Sequence, residues 1–202
     1  MTIPPTDNNG YIGGLLKQDP LYVFAMEVEA ADEFQDYQPL VVGIGKVNAA
    51  YQLTKRIHQQ KPSIIINMGS AGSHVFDRGE IICCTNFLQR DMDVTGLGFR
   101  LYETPLSGDE PLLNYGLRLD GLQQGICGTG DNFETAHATD AYNVIDMEGF
   151  ALAYIARQEN IPMISLKYIS DGANGSAADD WNELVHKAAV AFKQIIVQLE
   201  KL

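Results

Sequence analysis

The sequence has few cysteines, few basic side chains and no long apolar run. Its three cysteines form no CxxC pair, and their number in a chain of 202 residues suits a reducing compartment. No run approaches the ~18–20 apolar residues that cross a bilayer. Residues 1–14 are polar and rich in turn formers, and they lack the basic start and apolar core of a signal peptide. We therefore predict a cytoplasmic protein.

The shortage of Lys and Arg limits the possible partners. Acidic residues number 26 and basic residues 14, which gives a formal net charge of −12 at pH 7. Because phosphates and anionic lipids are normally met by Lys and Arg, we expect neither nucleic acid nor a membrane as a partner. The four histidines show no HxH or HExxH spacing, so a metal enzyme is also disfavoured. Small neutral nucleosides remain possible ligands.

Apolar, strand-like runs alternate with helical patterns along the chain. The predicted strands are residues 21–26, 39–44, 63–68, 80–85, 122–127 and 163–169, and the predicted helices are residues 46–60, 146–160 and 182–201. Several strands are apolar throughout, which indicates a sheet covered by helices on both faces. We predict an α/β fold, namely a single-domain, three-layer α/β/α structure with a central mixed sheet. It is expected over residues 20–202, after a poorly ordered leader at residues 1–19.

The helix over residues 46–60 is predicted to be amphipathic. Val47, Ala50, Leu53 and Ile57 recur at helical spacing and are expected to face the core. Ligands in α/β folds bind at the carboxyl ends of strands. Candidate site residues should therefore lie directly after the apolar runs.

Two candidates follow the first and third predicted strands. After the first strand, the segment MEVEAADEF contains four acids, which either form the acidic first turn of a helix or include a general base; they are Glu27, Glu29, Asp32 and Glu33. Residues 67–73 read NMGSAGS, which is either a plain tight turn or a place where backbone N–H groups approach a ligand closely. Neither GxxxxGK[ST] nor GxGxxG occurs there, so a P-loop is excluded and a dinucleotide fingerprint has no support.

Two further acids stand at later junctions between elements. Glu148 is either a first-turn helix acid or a carboxylate that accepts two neighbouring ribose hydroxyls. Asp171 either caps a helix that begins near Gly172, or opens an Asx-turn, or acts as a proton donor. Asp171 could act as a proton donor because burial at the end of an apolar strand raises the pKa of a carboxyl group.

The order of these motifs is more specific than any one of them. MEVE, GIGKVNAA, NMGSAG, DVTGLGF, GDNF, DMEG and YISD form a series that resembles the nucleoside phosphorylase/nucleosidase superfamily. Within it, residues 21–200 most resemble 5'-methylthioadenosine/S-adenosylhomocysteine nucleosidases. The resemblance implies a nucleoside phosphorylase-like fold, hydrolysis of the N-glycosidic bond of an adenine nucleoside, and no metal or organic cofactor.

The resemblance also implies catalytic roles for individual residues. Asp171, aided by Ser170, would give a proton to adenine N7, and Glu29 would activate water. Lys167 would orient Glu29 or its water, and this interpretation is favoured over the alternative that the lysine pairs with any acid nearby.

The remaining positions that the resemblance implies bind substrate. They are Met26 and Trp181 at the 5' substituent, Ser70, Ala71 and Gly72 near the water and sugar, Phe133 and Glu134 at the base, Met147 and Glu148 at the ribose, and Val94 and Leu97 from a neighbouring subunit. The last two imply a homodimer.

Two other functions stay open at this point. A phosphorylase would use phosphate in place of water, but Asn67 stands where bacterial phosphorylases of the superfamily carry an arginine. A non-catalytic nucleoside-binding protein would need no acid paired with a base. Glu134, Leu97 and the short segment at residues 30–42 depart from the family pattern, which leaves the preferred nucleoside open.

Overall fold

The computed structural model describes residues 7–135, 139–172 and 177–202, with the side chains of residues 177–183, 185 and 186 left outside the description. The strands are β1 (Pro20–Phe24), β2 (Leu40–Val41), β3 (Ile64–Gly72), β4 (Ile81–Gln89), β5 (Leu112–Asn114), β6 (Gln124–Thr129), β7 (Val144–Asp146) and β8 (Met163–Asp171). The helices are α1 (Asn8–Leu16), α2 (Glu27–Ala30), α3 (Lys46–Gln59), α4 (Gly149–Gln158) and α5 (Ala177–Leu199), with short 3-10 helices at Asp32–Tyr37 and Thr95–Leu97.

The strands form one mixed sheet, as predicted. Its order is β2-β1-β3-β7-β6-β4-β5, and β8 pairs with both β3 and β4. The pairs β3–β8, β4–β6 and β6–β7 are parallel, whereas β3–β7 and β4–β8 are antiparallel. These five strands therefore pair in a closed ring, which brings the ends of β3, β6, β7 and β8 together.

Two apolar clusters lie on opposite faces of the sheet. One packs the strands against α3 and α4, and the other packs them against α1 and α5. Alternate residues of β3 join different clusters, with Ile65 in the first and Ile64 and Ile66 in the second. Because side chains alternate along a strand, a strand covered on both faces must be apolar throughout. The α/β fold and its layers are therefore confirmed.

The expected disorder of the leader is wrong for residues 8–16. They form α1, whose Asp7 side chain accepts a hydrogen bond of 2.9 Å from Gly10 N–H. Ile12 is fully buried and Leu16 is 6% exposed, and both belong to the cluster around α5. The burial of these two side chains explains why the segment is ordered.

The predicted apolar face of α3 is partly wrong. Ala49, Leu53 and Ile57 are buried at helical spacing, whereas Val47 is 79% exposed. Val47 lies two residues before Ala49, which is about 200° around the helix. It therefore faces away from the core.

Two predicted turns are strand in the structure. The GSAG segment belongs to β3, with Ser70 opposite Tyr168 and Ala71 opposite Ile169 in a parallel register. Asp171 is the last residue of β8, and Gly172 after it is not part of a helix. The register is irregular between Ala71 and Gly72, beside Asp171. Among the described residues, no helix combines the length and apolar character needed to cross a membrane.

Candidate active site

A cavity of about 280 Å³ opens where several strands end. The predicted site residues that line it are Met26, Glu29, Ser70, Ala71, Gly72, Phe133, Glu134, Met147, Glu148, Ser170 and Asp171. Ligands in α/β folds bind at this edge of the sheet. The topology thus brings together residues that are up to 145 positions apart, from Met26 to Asp171.

Glu29 is 2% exposed and held in place by main-chain and hydroxyl groups. Its Oε1 accepts 2.8 Å and 2.7 Å hydrogen bonds from the amide and hydroxyl of Ser70, and its Oε2 accepts a 3.2 Å bond from Met26 N–H. This last contact forms because α2 begins directly after β1 and turns Glu29 back over Met26. A side chain at Gly69 would come within 3.3 Å of Oε1. The carboxylate is therefore fixed at one side of the cavity.

Glu148 is 7% exposed and accepts a 2.8 Å hydrogen bond from Gly45 N–H. Gly45 has a φ of +90°, a conformation that favours glycine, so the GIGK motif sets the direction of this N–H group. Burial, followed by the negative charge of Asp146, raises the pKa of Glu148 to about 8. Near neutral pH this carboxyl group is therefore largely protonated.

Lys167 lies elsewhere than predicted. Its Nζ is 2.8 Å from Asp146 Oδ2, the two side chains are 2% and 1% exposed, and Lys167 does not line the cavity. The prediction that it orients Glu29 is replaced by the alternative that it pairs with a nearby acid. Burial disfavours both charges, yet the attraction between them lowers the pKa of Asp146 and raises that of Lys167.

Asp146 was not predicted as a site residue, although it belongs to the DMEG motif. It lines the cavity, and its carboxylate also accepts hydrogen bonds from Gly149 N–H at 2.7 Å and from the Thr129 hydroxyl at 2.6 Å. These contacts join the start of α4 to β6. Because Glu148 directly precedes α4, the Lys167–Asp146 pair fixes the backbone that carries it.

Asp171 is 4% exposed beside the buried Ser170. The hydroxyl of Ser170 is 2.9 Å from Asp171 Oδ2 and 3.3 Å from the carbonyl oxygen of Ala71. A hydroxyl group has one proton to donate, and the shorter distance assigns that hydrogen bond to Asp171 Oδ2 rather than to the carbonyl oxygen of Ala71. Asp171, Glu29 and Glu148 are named here the inner acids, and all of them line the same cavity.

Arg90 and Glu134, which lie on two different loops, also line the cavity. Arg90 follows β4, and its Nη1 lies 3.2 Å from Glu134 Oε2 and 2.8 Å from Asn132 Oδ1. The hydroxyl of Tyr142 donates to Glu134 Oε2 over 3.0 Å. Sequence reasoning missed Arg90, although its place after a strand was the available signal. We name this ion pair the Arg90–Glu134 pair.

Two predicted binding residues do not line the cavity of this chain, and a third lies outside the described side chains. Val94 and Leu97 do not line it, and Leu97 is 76% exposed. The side chain of Trp181 lies outside the described residues. Within the described part of the chain, no cluster of His, Cys, Asp and Glu has the arrangement of a metal site.

Comparisons with known proteins identify the family of this chain. A family model described as phosphorylase superfamily matches residues 38–199. The 5'-methylthioadenosine/S-adenosylhomocysteine nucleosidases of Bacillus subtilis (strain 168) and Staphylococcus carnosus (strain TM300) are 29% and 31% identical to this chain. Each alignment covers 79% of this chain and 78% of the relative.

A solved structure shares the fold. It is a Helicobacter pylori 5'-methylthioadenosine/S-adenosylhomocysteine nucleosidase with butyl-thio-DADMe-Immucillin-A, and it matches with a TM-score of 0.83 at 19% identity over 92% of this chain and 99% of that one. The chain therefore belongs to the phosphorylase superfamily and, within it, to the 5'-methylthioadenosine/S-adenosylhomocysteine nucleosidase family.

Proposed function

We propose that this chain hydrolyses the N-glycosidic bond of a 5'-substituted adenine nucleoside of the methylthioadenosine type and releases adenine. The observation that carries the proposal is that Glu29 and Asp171 line one cavity. Cleavage between a sugar and a base needs an acid for the leaving group and a base for water, as in sugar hydrolysis. The family of the chain supports the same reaction.

In the proposed reaction, the carboxyl proton of Asp171 moves to purine N7 while the electron pair of the C1'–N9 bond moves into the departing base. Ser170 holds the carboxyl group through its 2.9 Å contact with Oδ2. Glu29 takes a proton from water, and the water oxygen forms the new bond to C1'. The products are adenine and a 5-substituted ribose, and proton exchange with solvent restores both acids.

Glu148 is proposed to hold the ribose hydroxyls, with Met147 along the sugar. Because burial and Asp146 raise its pKa to about 8, the carboxyl group can donate to one hydroxyl oxygen and accept from the other. Met26 lines the cavity next to Glu29 and suits an apolar 5' substituent. Phe133, which is 52% exposed at the opening, is proposed to stack on the base.

Water is the proposed nucleophile because the described cavity offers no cation suited to phosphate. Asn67 is 2% exposed, accepts a 3.0 Å hydrogen bond from the Ser165 hydroxyl and does not line the cavity. Arg90 lines the cavity but is paired with Glu134. A phosphate ion would also meet the inner acids, which makes the phosphorylase alternative less favourable.

A homodimer in the cytoplasm is proposed as the working form. Val94 and Leu97, which do not line the cavity of their own chain, would line that of a second copy. The exposed apolar side chains Val47, Tyr51 and Leu106 offer contact area for that copy. The three cysteines are buried and free, as suits a reducing compartment.

The test is base release from a panel of nucleosides. The protein is incubated with methylthioadenosine, adenosylhomocysteine, adenosine and inosine, each with and without inorganic phosphate, and the free base is quantified. We expect adenine release at a rate that phosphate does not change, with the 5'-thio nucleosides preferred. Release that requires phosphate would favour the phosphorylase, and tight binding without release would favour a nucleoside-binding protein.

A further inference from the structure

Arg90 is buried beneath the loop that carries Phe133 and Glu134. Its side chain is 4% exposed, and it packs so closely on Gly130 that a side chain at position 130 would come within 2.7 Å of its Cζ atom. Its terminal nitrogens are occupied, because Nη1 contacts Glu134 and Asn132 and Nη2 donates to the carbonyl oxygen of Asn132. The guanidinium group is therefore held in one orientation.

The remaining N–H group of Arg90 has no acceptor. Among the described residues, Arg90 Nε is a buried side-chain nitrogen without a hydrogen-bond partner. Leaving such a donor unpaired costs free energy, and buried polar groups in proteins are almost always paired. Arg90 also lines the cavity that contains the inner acids. An acceptor atom on a molecule bound in that cavity would complete the set of hydrogen bonds.

We propose that Arg90 is a substrate-binding residue whose Nε–H donates to a ring nitrogen of the bound purine. This inference rests on the proposed function. Adenine carries three ring nitrogens that can accept a hydrogen bond once N9 is bonded to the sugar, namely N1, N3 and N7. Because N7 is assigned to Asp171, the acceptor for Arg90 is N1 or N3, both in the six-membered ring.

Glu134 acts as a positioning residue in this scheme. Its carboxylate contacts Arg90 Nη1 at 3.2 Å and accepts a 3.0 Å hydrogen bond from the Tyr142 hydroxyl, so it connects the guanidinium group to the loop after β6. Asn132 holds the other side of the same group. A fixed, charged donor discriminates between ligands more sharply than a mobile one, because a ligand without the acceptor leaves it unpaired.

The test combines nucleoside analogues that lack one ring nitrogen with protein variants that alter Arg90 or Glu134. The values of kcat/KM are measured for methylthioadenosine and for its 1-deaza and 3-deaza analogues, in which one ring nitrogen is replaced by C–H. The wild-type enzyme and the Arg90→Lys variant are compared, because lysine keeps the positive charge but lacks Nε–H. Binding of adenine, 1-deazaadenine and 3-deazaadenine is measured by calorimetry on the same proteins, as a readout that does not need turnover.

With the wild-type enzyme, we expect kcat/KM for one of the two deaza analogues to be at least about tenfold lower than for methylthioadenosine, the scale of a hydrogen bond to a charged group. With Arg90→Lys, kcat/KM for the same analogue should be less than about twofold lower than for methylthioadenosine. Glu134→Gln should keep part of the discrimination, because Arg90 remains but is held less firmly. Arg118→Lys, at an exposed arginine paired with Asp120, is the matched control and should behave like the wild type.

Equal deaza losses in the wild-type enzyme and Arg90→Lys would overturn the proposal, as would the absence of any loss. If adenine is still released in that case, only this inference fails. If no nucleoside is cleaved, the proposed function fails, and the calorimetric comparison of the free bases then decides the role of Arg90 alone. Thermal denaturation of each variant shows whether it is folded.

Discussion

The inner acids and the Arg90–Glu134 pair line the same cavity but are held in different ways. Main-chain amides position two of the inner acids, as Ser70 N–H does for Glu29 and Gly45 N–H does for Glu148. These amides belong to the strand β3 and to the turn before α3, whose backbone is fixed by the fold. The positions of Glu29 and Glu148 are therefore determined by the sheet and its helices.

The Arg90–Glu134 pair depends mainly on other side chains. Arg90 and Glu134 contact each other, and their further partners are Asn132 and Tyr142. Side chains on loops can change without disturbing the sheet. We therefore propose that the inner acids carry the reaction, whereas the Arg90–Glu134 pair determines which base is accepted.

The largest expected effect is on catalysis by the inner acids. Glu29→Gln and Asp171→Asn should each lower kcat by at least ~100-fold, the scale of general acid–base catalysis. Each change keeps the size of the side chain and removes its ability to exchange a proton. Steady-state adenine release measures the effect, and Glu33→Gln, at an exposed acid near Glu29, is the control. Near-normal turnover in either variant would contradict the assigned role.

The buried ion pair behind Glu148 should matter for stability. Lys167→Met should lower the free energy of unfolding by about 3–5 kcal/mol, because it leaves the charge of Asp146 buried without its partner. Chemical denaturation measures the change. Lys55→Met, at an exposed lysine on α3, should change the free energy by less than about 0.5 kcal/mol. An equally small change in Lys167→Met would show that the pair does not support the fold.

Glu148 should give the protein a specific dependence of stability on pH. Its pKa is about 8 in the folded chain and 4.5 as its ordinary value, so the folded state binds more protons between these values. Stability linked to this group is therefore fully present below about pH 4.5 and is lost as the pH rises toward about 8. The melting temperature of the wild type should fall relative to Glu148→Gln over this range. Melting temperatures that change with pH in the same way for both proteins would contradict the raised pKa of Glu148.

The smallest expected effect concerns the proposed second subunit. Leu97→Ser should raise KM about fivefold to tenfold with little change in kcat, the scale of one lost apolar contact. A monomeric enzyme would not show this effect, because Leu97 does not line the cavity of its own chain. Sedimentation analysis of the wild type should give twice the mass of one chain. Val190→Ser, at an exposed position on α5, is the control.

Much of the fold could be predicted from the sequence, because β3 and β8 begin with runs of mainly apolar residues and α5 has a regular apolar face. The inner acids could be predicted for a related reason, since each follows or ends an apolar run and belongs to a recognisable motif. The strand character of GSAG could not, because its small residues favour a turn locally and only the register with β8 makes them strand.

Contacts between distant segments explain the other differences. The pairing of Lys167 with Asp146 depends on how β7 and β8 are brought together in the closed ring of strands, which no local pattern encodes. Arg90 and Glu134 are 44 positions apart on different loops, so neither residue predicts the other. Val47 was expected to face the core from its spacing alone, whereas the observed stripe begins at Ala49.

The most direct test of the reaction is the identity of the sugar product when both nucleophiles are present. Methylthioadenosine is supplied with excess inorganic phosphate, and the sugar released by the wild-type enzyme and by Glu29→Gln is identified by mass spectrometry. The account predicts free 5-methylthioribose in amounts equal to adenine, formed at least ~100-fold more slowly by the variant. Formation of the sugar 1-phosphate by the wild-type enzyme would contradict it.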